Sequence, residues 1–94
     1  MLKELDPLLH SQLRLGVMSL LMSVDSAEFT FLKEKTNSTA GNLSVQLDKL
    51  SEAGYISIEK TFRGKKPLTT CTITRQGLKA FEKYVNSLKQ YIGK

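Results

Sequence analysis

The sequence predicts a mainly helical α+β fold: three helices, a two-stranded β-hairpin and a C-terminal helix. Three observations carry this. Apolar residues recur at helical spacing in three separate blocks before Gly54. The period then falls to two on either side of a short glycine- and proline-containing basic stretch, Arg63-Gly64-Lys65-Lys66-Pro67-Leu68. Helical spacing returns after Thr74 and persists to about Ile92.

Each element has its own signals. Asp6-Pro7 reads as an N-cap followed by proline at the first helical position. Leu9, Leu13, Val17, Leu20, Leu21 and Val24 supply the apolar stripe of a first helix through Asp25. Asp25 or Ser26 can cap a second helix, AEFTFLKEKT, with Phe29 and Leu32 turned inward and Phe31 beside them. Thr36-Asn37-Ser38 is a tight polar turn. A third helix over about 39–53 is capped by Ser38 or Thr39 and ends at Gly54, where helices commonly stop. Tyr55 to Phe62 and Thr69 to Thr74 alternate as strands, with Ile56, Ile58, Phe62, Cys71 and Ile73 on the apolar face. Between them lies a hairpin loop with a basic tip. Thr74 can cap the last helix.

Length and composition bound the functional classes. The 94 residues suit one domain over 1–94, with 1–5 as an N-terminal tail and 75–92 as the C-terminal helix. Apolar content of 40% and charged content of 24% belong to a globular protein. The most apolar stretch, Leu13 to Val24, is interrupted by Arg14, Gly16, Ser19 and Ser23, so no membrane span or membrane partner is expected. The N-terminus lacks the pattern of a signal peptide, and one cysteine cannot form an internal disulfide, so a cytoplasmic protein is expected. The net charge of +5 is unevenly spread. Residues 1–30 hold Lys3 and Arg14 against Glu4, Asp6, Asp25 and Glu28, whereas residues 55–72 hold Lys60, Arg63, Lys65 and Lys66 against Glu59 alone. A basic second half points to a polyanionic partner.

Helix, short turn, helix is the connection of a helix-turn-helix, whose second member can enter the major groove of DNA. A hairpin directly after it adds a wing for a neighbouring groove or the backbone. On the third helix Leu43, Leu47 and Leu50 fall within about 60° of one another. Roughly opposite lie Ser38, Gly41, Val45 and Glu52, and Thr39, Asn42, Gln46 and Lys49 form the adjoining stripe. Small and amide side chains occupy a face that idle surface would fill with Glu, Lys and Arg. Asn and Gln can bond adenine N6 and N7 together, and a valine or threonine methyl can meet a thymine methyl. Arg63, Lys65 and Lys66 at the hairpin tip suit phosphate or minor-groove contact.

From Leu5 to about Tyr91 the chain resembles the small winged-helix transcriptional regulators related to the MarR and ArsR groups. The diagnostic run is Gly41-Asn42-Leu43-Ser44, then Leu47, Leu50 and Ala53-Gly54-Tyr55-Ile56. The resemblance implies a winged helix-turn-helix fold, double-stranded DNA binding and a homodimer on a palindromic operator. It also implies DNA contacts at Thr39, Asn42, Ser44, Val45, Gln46 and Lys49, with Arg63 and Lys65 in the wing. The metal-sensing relatives use cysteine and histidine clusters, whereas His10 and Cys71 stand alone here, so no metal or other cofactor is expected. Larger MarR-type proteins carry further helices around an effector pocket, and with this chain ending at Lys94 no built-in ligand sensor is expected.

Leu78, Phe81, Val85, Leu88 and Ile92 are spaced 3, 4, 3 and 4, an a/d seam suited to pairing with a second subunit. An enzyme would need a nucleophile with a base, paired acids or metal ligands, and the chain offers no such set. A winged helix serving as a protein-docking module is the alternative. It would carry large apolar or acidic residues where this chain has Asn, Gln, Lys and a basic tip.

Overall fold

The computed structural model describes residues 4–93, so residues 1–3 of the expected N-terminal tail lie outside the described residues. The elements are α1 (Gln12–Val24), β1 (Ser26–Glu28), α2 (Phe29–Thr36), α3 (Ala40–Glu52), β2 (Ile56–Arg63), β3 (Lys66–Ile73) and α4 (Arg75–Tyr91). This is the winged-helix arrangement, mainly helical, with a small antiparallel sheet of strand order β1-β3-β2.

The first helix begins later than Asp6-Pro7 suggested. Asp6 Oδ1 accepts from the Leu8 amide at 3.0 Å. The Leu9 and His10 amides both donate to the Asp6 carbonyl at 3.1 Å. These bonds close a single turn, after which Ser11 is extended (φ −148°, ψ 130°) and α1 starts afresh. The proline-led cap is therefore real but local, an Asx turn that satisfies itself. It sends Leu9 into the core, and α1 buries Val17, Met18 and Leu21. Leu20 is only half-buried and Val24 is 47% exposed, so the contact line runs through Met18 instead of the expected Leu20–Val24 edge.

Ser26, expected as a cap, and residues 27–28, expected inside the second helix, form a strand. Ser26, Ala27 and Glu28 pair antiparallel with Thr72, Cys71 and Thr70. The hairpin partner β2 covers one edge of β3, and these three residues satisfy the other. Leu32 of α2 is buried and Phe29 half-buried, while Phe31 is 38% exposed. The helix ends on Asn37 in the left-handed region (φ 52°), with the Ser38 amide donating to the Lys33 carbonyl at 3.2 Å. Thr39 caps α3, its hydroxyl accepting from the Asn42 amide at 3.2 Å. Leu43, Leu47 and Leu50 are buried as their spacing predicts. Gly54 leaves the helix at φ 81°, a conformation few other residues adopt.

The hairpin is longer and tighter than expected. Its strands pair from Ile56↔Ile73 out to Arg63↔Lys66, leaving Gly64-Lys65 as a two-residue turn in place of a six-residue loop. Ile56 and Cys71 are buried at its base, but Phe62 is 72% exposed. Alternation places Phe62 on the apolar face as predicted, yet the ribbon there has outrun the helical layer. Thr74 then joins two elements, its hydroxyl donating to the Gly54 carbonyl at 2.6 Å and accepting from the Gly77 amide at 3.0 Å. A Cβ on Gly77 would stand 2.0 Å from the Tyr55 carbonyl oxygen, so only glycine lets α4 cross the start of β2 this closely. Tyr84, 4% exposed, is the α4 residue that enters the core.

Candidate nucleic-acid interface

The leucine stripe fixes the rotation of α3 and so decides what faces outward. Thr39, Gly41, Asn42, Ser44, Val45 and Lys49 are exposed, and Ser38 and Gln46 are half-buried. Val45, at 51% exposure, sits without apolar cover among polar neighbours. Beyond its own helix backbone and chain neighbours, nothing lies within 4 Å of where a Gly41 Cβ would be, so packing within the chain does not demand a glycine there. Ser38 is the inner member of the set, since its hydroxyl meets the Thr36 hydroxyl at 2.8 Å.

The amide side chains on this face are not independent. Gln46 Nε2 donates to Asn42 Oδ1 at 3.1 Å, one helical turn away. Arg14 of α1 donates from Nη1 to Gln46 Oε1 and from Nε to the Leu8 carbonyl at 2.6 Å. Arg14 had no place in the sequence-derived set. Its role depends on two helices crossing, a contact separated by 32 residues that no local spacing reveals.

The wing's cations divide between its two faces. Residues alternate along β2, so Lys60 and Phe62 share the face of Ile56 and Ile58, toward α3. Arg63 and Lys66, paired across the ribbon, lie on the opposite face with Glu59 and with Glu28 of β1. Arg63 Nη2 forms an ion pair with Glu28 Oε2 at 2.8 Å. Lys65 occupies the turn. Ser44 and Asp48 of α3 line one cleft of about 250 Å³ with Lys60 and Thr69 of the wing. Helix and wing thus form one continuous surface, with Lys60 as a cation the sequence reading left out.

Behind this surface two anchors hold the frame. Tyr55 Oη donates to Asp6 Oδ2 at 2.5 Å. Burial, then that hydrogen bond and the carboxylate's charge, push the phenol up to about 12. Burial alone pushes the Cys71 thiol up to about 11, so at neutral pH it is an inert core group. His10 Nδ1 lies 3.0 Å from the Tyr84 hydroxyl. Among the described residues, no group of three or more His, Cys, Asp or Glu is placed to hold a metal ion. None of their helices is long and apolar enough to cross a membrane.

Comparison with known proteins agrees with this architecture. Residues 13–92 match a protein family described as a winged helix DNA-binding domain. An uncharacterized protein of Methanocaldococcus jannaschii is 36% identical over 81 residues, covering 86% of this chain and 88% of that protein. The structure of a transcriptional regulator homologue from Pyrococcus horikoshii superposes with a TM-score of 0.85 at 28% identity, covering 92% of this chain and 85% of that one. A MarR-family transcriptional regulator from Silicibacter pomeroyi shares the fold at a TM-score of 0.70 and 16% identity, over 88% of this chain and 55% of that one.

Proposed function

The chain belongs to the winged helix DNA-binding domain family, and on that premise we propose that it is a transcriptional regulator that reads double-stranded DNA by sequence. In this reading α3 lies in the major groove and the wing, residues 62–68, meets the adjacent groove or backbone. The observation that carries it is the exposed, largely uncharged face of α3 from Thr39 to Gln46, continuous with the wing. Asn42, Gln46 and Val45 supply hydrogen bonds and a methyl surface suited to base edges. Gly41 leaves open space through which the backbone can approach the groove. Ser38, Thr39, Ser44 and Lys49 surround them, and Lys60, Arg63, Lys65 and Lys66 suit phosphates.

The working form in this proposal is a homodimer on a palindromic operator, in the cytoplasm. Leu78, Phe81, Val85 and Leu88 are only half-buried within the chain and Ile92 is 67% exposed, whereas Gly77, Tyr84 and Ser87 face inward. The a/d seam is thus only partly covered by its own chain, with Phe81 and Leu88 packed against the core and Ile92 exposed. One recognition helix meets few base pairs, and two on a symmetric site double the specific contacts.

Selection of bound duplexes from a random pool tests the reading. Asn42→Ala and Gln46→Ala are each expected to weaken the selected site by ~1–3 kcal/mol and leave random duplex nearly unaffected. Equal losses on selected and random duplexes would remove α3 as the base-reading element.

A further inference from the structure

Three side chains in series determine which way round the amides of α3 are presented. Arg14 Nη1 donates to Gln46 Oε1, while its Nε is held by the Leu8 carbonyl at 2.6 Å. A guanidinium has donors and no acceptor, so only the carbonyl side of Gln46 can face it. Gln46 then has only its NH₂ for Asn42, and Nε2 donates to Asn42 Oδ1 at 3.1 Å. Asn42 in turn keeps its Nδ2 hydrogens for an outside partner. Donor and acceptor assignments along the chain are thus fixed from the arginine outward.

We infer that Arg14 is a specificity-determining positioning residue that makes the Asn42–Gln46 pair a donor face, selecting guanine over adenine. The inference rests on the proposed reading of α3 as the base-reading helix. An amide meets adenine by giving one hydrogen bond to N7 and accepting one from N6. Here each amide oxygen already gives one of its two lone pairs to a donor inside the protein, while one hydrogen of Gln46 Nε2 and both of Asn42 Nδ2 are left over, so donors outnumber acceptors on this face. Turning Gln46 around to read adenine would set an N–H against the guanidinium and leave Nη1 of a half-buried arginine without the acceptor it has here. Guanine offers N7 and O6, both acceptors, and needs only the donors this face has left. The expectation drawn from residue types alone, adenine for Asn and Gln, is therefore reversed by a contact from another helix.

The test selects duplexes from a random pool with the full chain, with Arg14→Met and with Gln46→Glu, and compares the base positions under Asn42 and Gln46. The wild type is expected to enrich guanine there and to bind several-fold more weakly when that base is 7-deazaguanine, which lacks the N7 acceptor. Arg14→Met frees the Gln46 carbonyl, and the guanine-to-adenine affinity ratio is expected to fall about tenfold. Gln46→Glu keeps an acceptor for Arg14 but cannot donate to Asn42, and is expected to shift the base under Asn42 the same way. It also decides the matter should Arg14→Met fail to fold. Enrichment of adenine by the wild type overturns the inference. So does an unchanged guanine preference in both variants with a uniform loss of affinity, which marks Arg14 as a packing or phosphate residue. If the wild type enriches no sequence at all, the base-reading proposal itself falls, an outcome distinct from either.

Discussion

Arg63 Nη2 donates to Glu28 Oε2 at 2.8 Å, so the wing's arginine is tied across β3 to the opposite edge of the sheet. Both side chains are solvent-accessible, 69% and 39%, and a pair of this kind contributes only ~0–1 kcal/mol. A phosphate can therefore displace the glutamate. Arg63→Ala is expected to weaken binding to every duplex and to lower the salt slope by about 1. Glu28→Gln is expected to strengthen binding to every duplex a few-fold at low salt, with the gain fading as salt rises. Fluorescence anisotropy across a salt series measures both.

Tyr55 gives the chain an alkaline limit. Its phenol, shielded and bonded to the Asp6 carboxylate, is raised to about 12, above the ordinary value near 10. Because the folded state holds this proton more tightly than the unfolded chain, the contribution is complete below pH ~10 and is lost as the pH rises through ~12. A titration followed by phenolate absorbance is expected to show a step from Tyr55 near pH 12. In Tyr55→Phe that late step should vanish, with about 1 kcal/mol of stability lost at neutral pH for a partly exposed bond to a charged acceptor.

Gly77→Ala sets helix propensity against packing. Alanine should favour α4 by up to ~1 kcal/mol. The new methyl would stand 2.0 Å from the Tyr55 carbonyl oxygen, a backbone atom that cannot swing aside. Relieving it means pulling α4 off β2 and disturbing the Thr74 cap, at a cost of ~3 kcal/mol or more. Urea denaturation is expected to show a clear net loss, and a neutral or stabilised variant would show that this crossing is looser than it stands.

The dimer proposal has a direct measurement. Phe81→Glu with Val85→Glu places charges on the half-buried flank of α4 and leaves the inward Gly77, Tyr84 and Ser87 untouched. Sedimentation should then report monomers that remain folded by circular dichroism. An unchanged dimer mass would move the interface elsewhere, and a monomeric wild type would remove it.

What the sequence disclosed was whatever its local chemistry determines. Thr39, Thr74 and Gly54 mark their helix ends because capping involves only near neighbours. Leu43, Leu47 and Leu50 are buried because one periodic stripe orients a helix. Ser26-Ala27-Glu28 reads as the cap and first turn of a helix because three residues are too few to show alternation, and their strand exists only through the free edge of β3. Asp6-Pro7 reads as a helix start but closes only an isolated turn, and α1 begins after the break at Ser11, which nothing local announces. In the candidate interface the outward residues of α3 were legible from the leucines opposite. Arg14 and Lys60 were not, because their places depend on how α1 and the wing meet α3. Arg63 was seen as a wing cation, but its partner came from the strand that had been read as helix.

The short strand β1 also determines how the wing can move. Its last pair is Glu28↔Thr70, so toward α1 the ribbon is held from both sides. Beyond that level β2 and β3 pair only with one another, with the exposed Arg63–Glu28 ion pair as a tie back to β1. Glu59↔Thr70 is the fulcrum between a clamped root and a free blade. Amide exchange should step up sharply past it, with the tip opening at far lower cost than the root. In the proposed complex the blade is then expected to tilt to follow the width of the groove it meets, with α3 keeping its place.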